Sequence, residues 1–163
     1  SGVVMRALAR HFGEDEDRWF VIGLLHDLDM DTIDGDYSEH GEVTKKILED
    51  EGYHLPEIVG PILSHTECLE ENGGKYLREN KVDFCLGAAE QVTGLVSSYA
   101  RMRPTKFEGM KAKSLNKKFK DKAFAANVNR EFISDIEKTG LSRSEFFTIA
   151  IDAISDIEDE INI

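Results

Sequence analysis

Apolar residues recur along the chain at three- and four-residue intervals, the spacing that lines up one face of a helix. In "VVMRALARHF" they fall at Val4, Met5, Leu8 and Phe12, and the acidic "GEDED" ends this helix and opens the next. A second helix is predicted from about Asp17 to Asp27, where Phe20, Val21, Leu24 and Leu25 leave almost no polar face, as suits a helix at the centre of a bundle. "DTIDGDYS" reads as a loop. Ser38 is positioned to cap a third helix within "EHGEVTKKILEDEG", closed by Gly52, and Pro56 suits the first turn of a fourth. Beyond "EENGG" a long fifth helix spans about Val82 to Met102, stopped by Pro104, because the residue before a proline is pushed out of the helical region. Three more segments follow: "SLNKKFKDKAFAAN" from a capping Ser114, "NREFISDIEKTG" between Asn129 and Gly140, and a last helix with capping-box spacing from Ser142 to Glu145.

No segment alternates apolar and polar residues over a useful length, and no internal repeat is visible, so the predicted fold is all-α. With 163 residues the chain is long enough to bury a core without covalent staples. The expected organisation is a helical core over residues 1–104 and a helical extension over 105–163 packed on the same domain. Cys68 and Cys85 are far apart with no CxxC spacing, which argues against a disulfide framework or zinc ribbon and suits a reducing compartment. Without a signal peptide or an apolar run of about 18 residues, the expected location is cytoplasmic, with no membrane span. The first helix starts at its apolar middle with no cap upstream, which leads us to expect residues before Ser1.

Charge divides the chain. Residues 1–100 carry 8 Lys and Arg against 21 Asp and Glu, residues 101–122 carry 9 against 2, and residues 123–163 carry 3 against 9, within a total of -12. An acidic body disfavours nucleic-acid binding, whose affinity comes chiefly from neutralising phosphates. The strip with Lys111, Lys113, Lys117, Lys118, Lys120 and Lys122 reads as a solvated face, the alternatives being steering of an anionic substrate or an interface with the acidic part of another chain.

The segment "VIGLLHDLDMD" raises the question of chemistry, because an apolar helix that only needed to end would not collect carboxylates there. Imidazole and carboxylate together suit first-row divalent ions, so His26 and Asp27 read as a metal site, provided the backbone turns where the helix stops. His40 and His65 both lie beside polar loops where a site could open. Alternatively, His40 is a solvated residue at a helix start and His65 complements a helix dipole. His11 and His54 read as surface residues. Glu90 in "LGAAEQVTGLV" stands among small and apolar residues on a buried helix, and a carboxylate there must be neutralised, paired or bound to a cation.

In this order and spacing, "GLLHDLDMD", "EHGEVTKKIL", "ILSHTE" and "LGAAEQVTGLV" resemble the HD-domain metal-dependent phosphohydrolase superfamily, in particular its small single-domain bacterial and archaeal members. The stretch "RMRPTKFEGMKAKSLNKKFKDKAFAANVNRE" is similar to the C-terminal part of those proteins. The resemblance implies an HD-domain-like helical bundle whose metal ligands are a first-helix histidine, an adjacent His-Asp pair and a distant aspartate. Here the pair falls on His26 and Asp27, the aspartate's place is taken by Glu90, and the histidines that binuclear members add resemble His40 and His65. Glu90 is one methylene longer than aspartate. The first-helix histidine has no match near "SGVVMRALA" and would lie just upstream of Ser1.

The implied activity is hydrolysis of a small phosphate ester, such as a nucleotide, by water activated on a divalent ion whose identity among Mn, Fe, Zn, Mg, Ni and Co is open. Asp29, Asp31 and Glu67 are candidates for proton transfer, with a solvated acidic loop as the alternative. Arg101 and Arg103 are candidates for a substrate's second anionic group, although they lie roughly 17 to 20 Å beyond Glu90 along the helix and need the chain to fold back. Two other functions compete: a non-catalytic HD-like module binding a nucleotide or a protein, and a nucleic-acid binder using residues 101–122. The last ranks lowest, having only Phe107 and Phe119 as aromatics. Homo-oligomerisation is left open, since Phe146, Phe147, Ile149 and Ile151 can dock within or between chains.

Overall fold

A computed structural model describes residues 1–161; Asn162 and Ile163, the end of the expected extension, lie outside the described residues. The fold is all-α. Eight α-helices are described: α1 (Gly2–Phe12), α2 (Glu16–Leu25), α3 (Glu42–Asp50), α4 (Pro56–Ser64), α5 (Lys81–Met102), α6 (Ala112–Lys120), α7 (Arg130–Ser134) and α8 (Arg143–Ser155). Short 3₁₀ turns join several of them, at Tyr37–Glu39, His65–Cys68, Glu70–Asn72 and Asp135–Thr139.

The long α5 forms the axis. Its Cys85, Leu86, Ala88, Ala89, Val92, Leu95, Val96 and Ala100 are all fully buried, spread around the helix rather than on one stripe, because α1, α2, α4, α6, α7 and α8 surround it. The C-terminal segments join the same core: Phe146 and Phe147 of α8 are fully buried against it, together with Leu8 of α1 and Leu115 of α6. The apolar docking surface expected at residues 146–151 is thus largely consumed within the chain.

Helices α1 and α2 form a tight antiparallel hairpin whose closest approach is at Gly23. A Cβ there would stand 2.8 Å from the Met5 side chain and 2.9 Å from the Gly2 backbone, so no larger residue fits without moving one helix. The same residue serves the site, since its carbonyl accepts a hydrogen bond from His26.

Local boundaries differ from the sequence pattern in two places. Ser38 does not cap α3; it lies in the 3₁₀ turn, where the Asp36 side chain accepts from its backbone N–H, and α3 starts later, at Glu42. The sixth helix begins at Ala112 and ends at Lys120, so Ser114 is inside its first turn, bonding back to Lys111, and "DKAFAAN" is a run of turns. Arg130 holds those turns by donating to the carbonyls of Phe119, Asp121 and Phe124, a tertiary role that helix periodicity does not reveal. Elsewhere the caps at Asn129 and Ser142 form as expected.

Replacing Gly23 by alanine should destabilise the fold by about 1–3 kcal/mol, the usual cost of overpacking. A urea midpoint equal to that of the unsubstituted protein would contradict the close approach of α1 and α2.

Candidate metal centre

The site forms where α2 and α4 stop. Helix α2 ends at Leu25, and the chain continues through consecutive turns closed by Leu28 N–H to Leu25 O and Met30 N–H to Asp27 O. These turns let the neighbouring His26 and Asp27 aim at one region, which a continuing helix would forbid. His65 occupies the equivalent position after α4, as its C-terminal cap residue. His40 arrives from the loop between, in extended conformation, just before α3.

Gly41 makes the approach of that loop possible. Its φ of +82° lies in the region that L side chains avoid, and a Cβ would stand 3.3 Å from Thr66 and 3.5 Å from the Ile62 carbonyl. His40 and His65 are thereby brought within contact, with Nε2 atoms 3.0 Å apart.

Three imidazoles share one arrangement. The Nδ1 of His26 faces Gly23 O at 2.9 Å, that of His65 faces Ile62 O, and that of His40 faces the Asp29 carboxylate at 2.8 Å. Each partner is an acceptor only, so each Nδ1 carries the proton and, in the neutral ring, each Nε2 presents a lone pair inward. Two lone pairs 3.0 Å apart repel unless a proton or cation lies between them. Asp27 completes the group, with Oδ1 3.5 Å from His40 Nε2 and 3.7 Å from His65 Nε2, and Oδ2 3.3 Å from His26 Nε2.

These atoms fit a metal ion. Ligands at about 2.0–2.1 Å from a tetrahedral ion are about 3.3–3.4 Å from one another, and about 2.9 Å at octahedral right angles. The three edges of the Asp27, His40, His65 triangle lie close to those lengths, and all three ligand atoms fall within 4.8 Å of one another. The two histidines are buried and Asp27 is exposed, so the group opens to solvent on the carboxylate side.

The electrostatics match. Burial alone would raise the Asp27 carboxyl, but His40, His65 and His26 outweigh it and hold its pKa far below the usual range. Burial pushes the His26 imidazole down to about 4. His40 is raised, because Asp27 and Asp29 together overcome the cost of burial. Burial also raises Glu90, whose carboxyl lies in the field of His65, Asp27 and His40 without bonding to them; it accepts instead from Gln91 Nε2 at 2.8 Å. Glu90 and His26 lie outside the tight triangle but on its border, and the start of α1 at Ser1 faces both Asp27 and Glu90.

Several expected roles change with position. Asp29 is fully buried and accepts from His40 Nδ1, Gly41 N–H (2.6 Å) and Thr44 N–H (3.2 Å). It therefore orients His40 and caps α3 from a distance, and is not placed to exchange protons with substrate. Glu67 is held by Arg78 Nε at 2.5 Å, while Arg78 Nη2 binds Asp135 at 2.8 Å and the guanidinium lies 3.3 Å over the Phe132 ring. Its carboxylate is neutralised rather than free for acid–base work. Asp31 stays exposed on its loop. Arg103 closes the turn after α5 by donating to the carbonyls of Lys106 and Glu108, and Arg101 is exposed at that same far end, so the chain does not fold them back to the site. His11 and His54 are exposed.

Histidines and an aspartate gathered at helix ends of an all-α fold form a group that could hold a metal ion. The HD domain family matches residues 2–121, and the chain belongs to that family, within the superfamily of metal-dependent phosphohydrolases. No curated protein and no solved structure matches the sequence.

Asp29→Asn should weaken divalent-ion binding by about 10- to 100-fold, the usual effect of losing a carboxylate behind a ligating histidine. Calorimetric titration with Mn²⁺ or Ni²⁺ measures this directly, and an unchanged dissociation constant would deny Asp29 its orienting role.

Proposed function

We propose that this protein is a metal-dependent phosphohydrolase acting on a small phosphate ester. The observation that carries the reading is the triangle of Asp27, His40 and His65, each histidine fixed through Nδ1 and presenting Nε2 to a common point. Asp27, His40 and His65 would hold a divalent ion, with His26 3.3 Å from Asp27 Oδ2 and Glu90 in the field of the group as further candidate ligands. When bound, the ion supplies Lewis acidity, acidifying water and offsetting charge on phosphoryl oxygens. The chain's own contribution is positional. Asp29 holds the His40 ring, Gly23 and Ile62 hold the other two, and burial of the imidazoles keeps water from all but the Asp27 side. Burial raises the proton affinity of Glu90, so a cation nearby would draw it toward its charged form.

The competing reading, a non-catalytic module that binds a nucleotide or a protein, uses the same fold without turnover. The two separate in a phosphatase assay with p-nitrophenyl phosphate and added Mn²⁺. Turnover should be lost with chelator, return on adding metal, and fall by at least about 100-fold in Asp27→Ala or His65→Ala, as for loss of a metal ligand. An inactive, metal-loaded protein would favour the binding module.

Metal affinity should also depend on pH. His40 is raised above its ordinary value by Asp27 and Asp29, so a proton competes with an ion for it at higher pH than for a free imidazole. Affinity therefore rises as pH increases through the raised pKa and falls below it, measurable as proton release in calorimetry run in buffers of different ionisation enthalpy.

A further inference from the structure

Each histidine of the centre is held through its Nδ1, whereas the side chain of Glu90 is held by the next residue along α5. Glu90 lies in the middle of that helix, which packs against α4 and the 3₁₀ turn opened by His65. A glutamate side chain has three torsions. Unless something fixes them beforehand, that freedom is lost when the carboxylate meets an ion, and the affinity falls accordingly.

Gln91 supplies the fixing. Its Nε2 donates to Glu90 Oε1 at 2.8 Å, and its Oε1 accepts the backbone N–H of Asn129 at 2.7 Å. The two bonds together set the sense of the amide. A backbone N–H can only donate, so the atom that meets it is the oxygen, and the NH₂ group is the end left for Glu90, where an ionised carboxylate can only accept. Turned the other way, the amide would set donor against donor at Asn129 and acceptor against acceptor at Glu90.

Asn129 is itself anchored. Its side chain accepts from the N–H groups of Glu131 and Phe132 as the cap of α7, and α7 packs on α5 with Phe132 and Ile133 buried. It lies 38 residues from Gln91 and beyond residues 2–121, the span of the family match, so the brace comes from the C-terminal part of this chain. The bond from Gln91 takes Oε1 of Glu90. Its Oε2 accepts from no donor among the described residues.

We propose that Gln91 is a positioning residue for the metal centre: tied to the α7 cap through its carbonyl, it grips one carboxylate oxygen of Glu90 and leaves the other for the ion. The proposal rests on the reading of the centre as the metal site of a phosphohydrolase, with Glu90 among its ligands. It adds the means by which the segment after α6 acts on that site.

A double-mutant cycle on the full chain separates this role from a general effect on folding. Co²⁺ is the probe, its affinity read by calorimetry and its coordination by the visible absorption bands, which respond to ligand number and geometry. Gln91→Met keeps the length of the side chain and removes both bonds; it should weaken Co²⁺ binding by about 10-fold, as for loss of a partner behind a ligand, and shift the bands. In a Glu90→Ala background the same substitution should change the affinity by less than about two-fold, because nothing remains for Gln91 to hold. If Gln91→Met does not fold, Gln91→Asn, one methylene too short to reach both partners, takes its place in the cycle. Equal losses with and without Glu90, no loss at all, or an unchanged affinity in Glu90→Ala alone would overturn the positioning role and leave the phosphohydrolase reading standing. Failure of the unsubstituted chain to bind Co²⁺ overturns both.

Discussion

A carboxylate with no exposure to solvent is among the most expensive groups a protein can bury, and Asp29 is tolerated because three donors converge on it. One of those donors is the His40 ring, which faces the candidate metal site, and the other two are backbone N–H groups at the start of α3. The bond to His40 fixes a tautomer; the bonds to Gly41 and Thr44 fix the helix behind it. Remove the carboxylate and a buried histidine, a glycine with positive φ and a helix terminus all lose their partner together. The centre is in this sense a consequence of how α3 is started.

The same coupling recurs on the other ligands. His26 is fixed by the carbonyl of the glycine at which α1 and α2 touch, and His65 by a carbonyl in the last turn of α4. Each imidazole thus reports the position of a different helix pair, and the shared point between their Nε2 atoms exists only if α1, α2, α4 and the loop before α3 are all in place. Electrostatics then follows from geometry: burial lowers His26, while paired carboxylates raise His40 and three rings hold Asp27 low.

Much of this was legible in the residues. Helical periodicity located the long α5 and its proline stop, and the caps at Asn129 and Ser142, because these signals depend on neighbours within a turn. His26, Asp27, His40 and His65 were visible as a set through their order and spacing. What the sequence hid was long-range. Nothing local says that Asp29 caps a helix twelve to fifteen residues away, so Ser38 looked like the better cap, and Asp29 looked like a free acid. Glu67 and Arg103 were misjudged for a similar reason: their partners, Arg78 and two loop carbonyls, are set by tertiary packing, and charge at a given position does not reveal whether it is already spent.

The bridge formed by Arg78 bears on where this protein can be divided. It ties Glu67, two residues past His65, to Asp135 and stacks on Phe132, both beyond the last residue that the family match covers. A chain trimmed to the matched region would strand a buried guanidinium beside the ligand-bearing turn and bare the faces of α1 and α5 that α8 covers. The family match therefore stops short of the packed core, and a fragment chosen by kinship alone would lose contacts that brace the turn carrying His65.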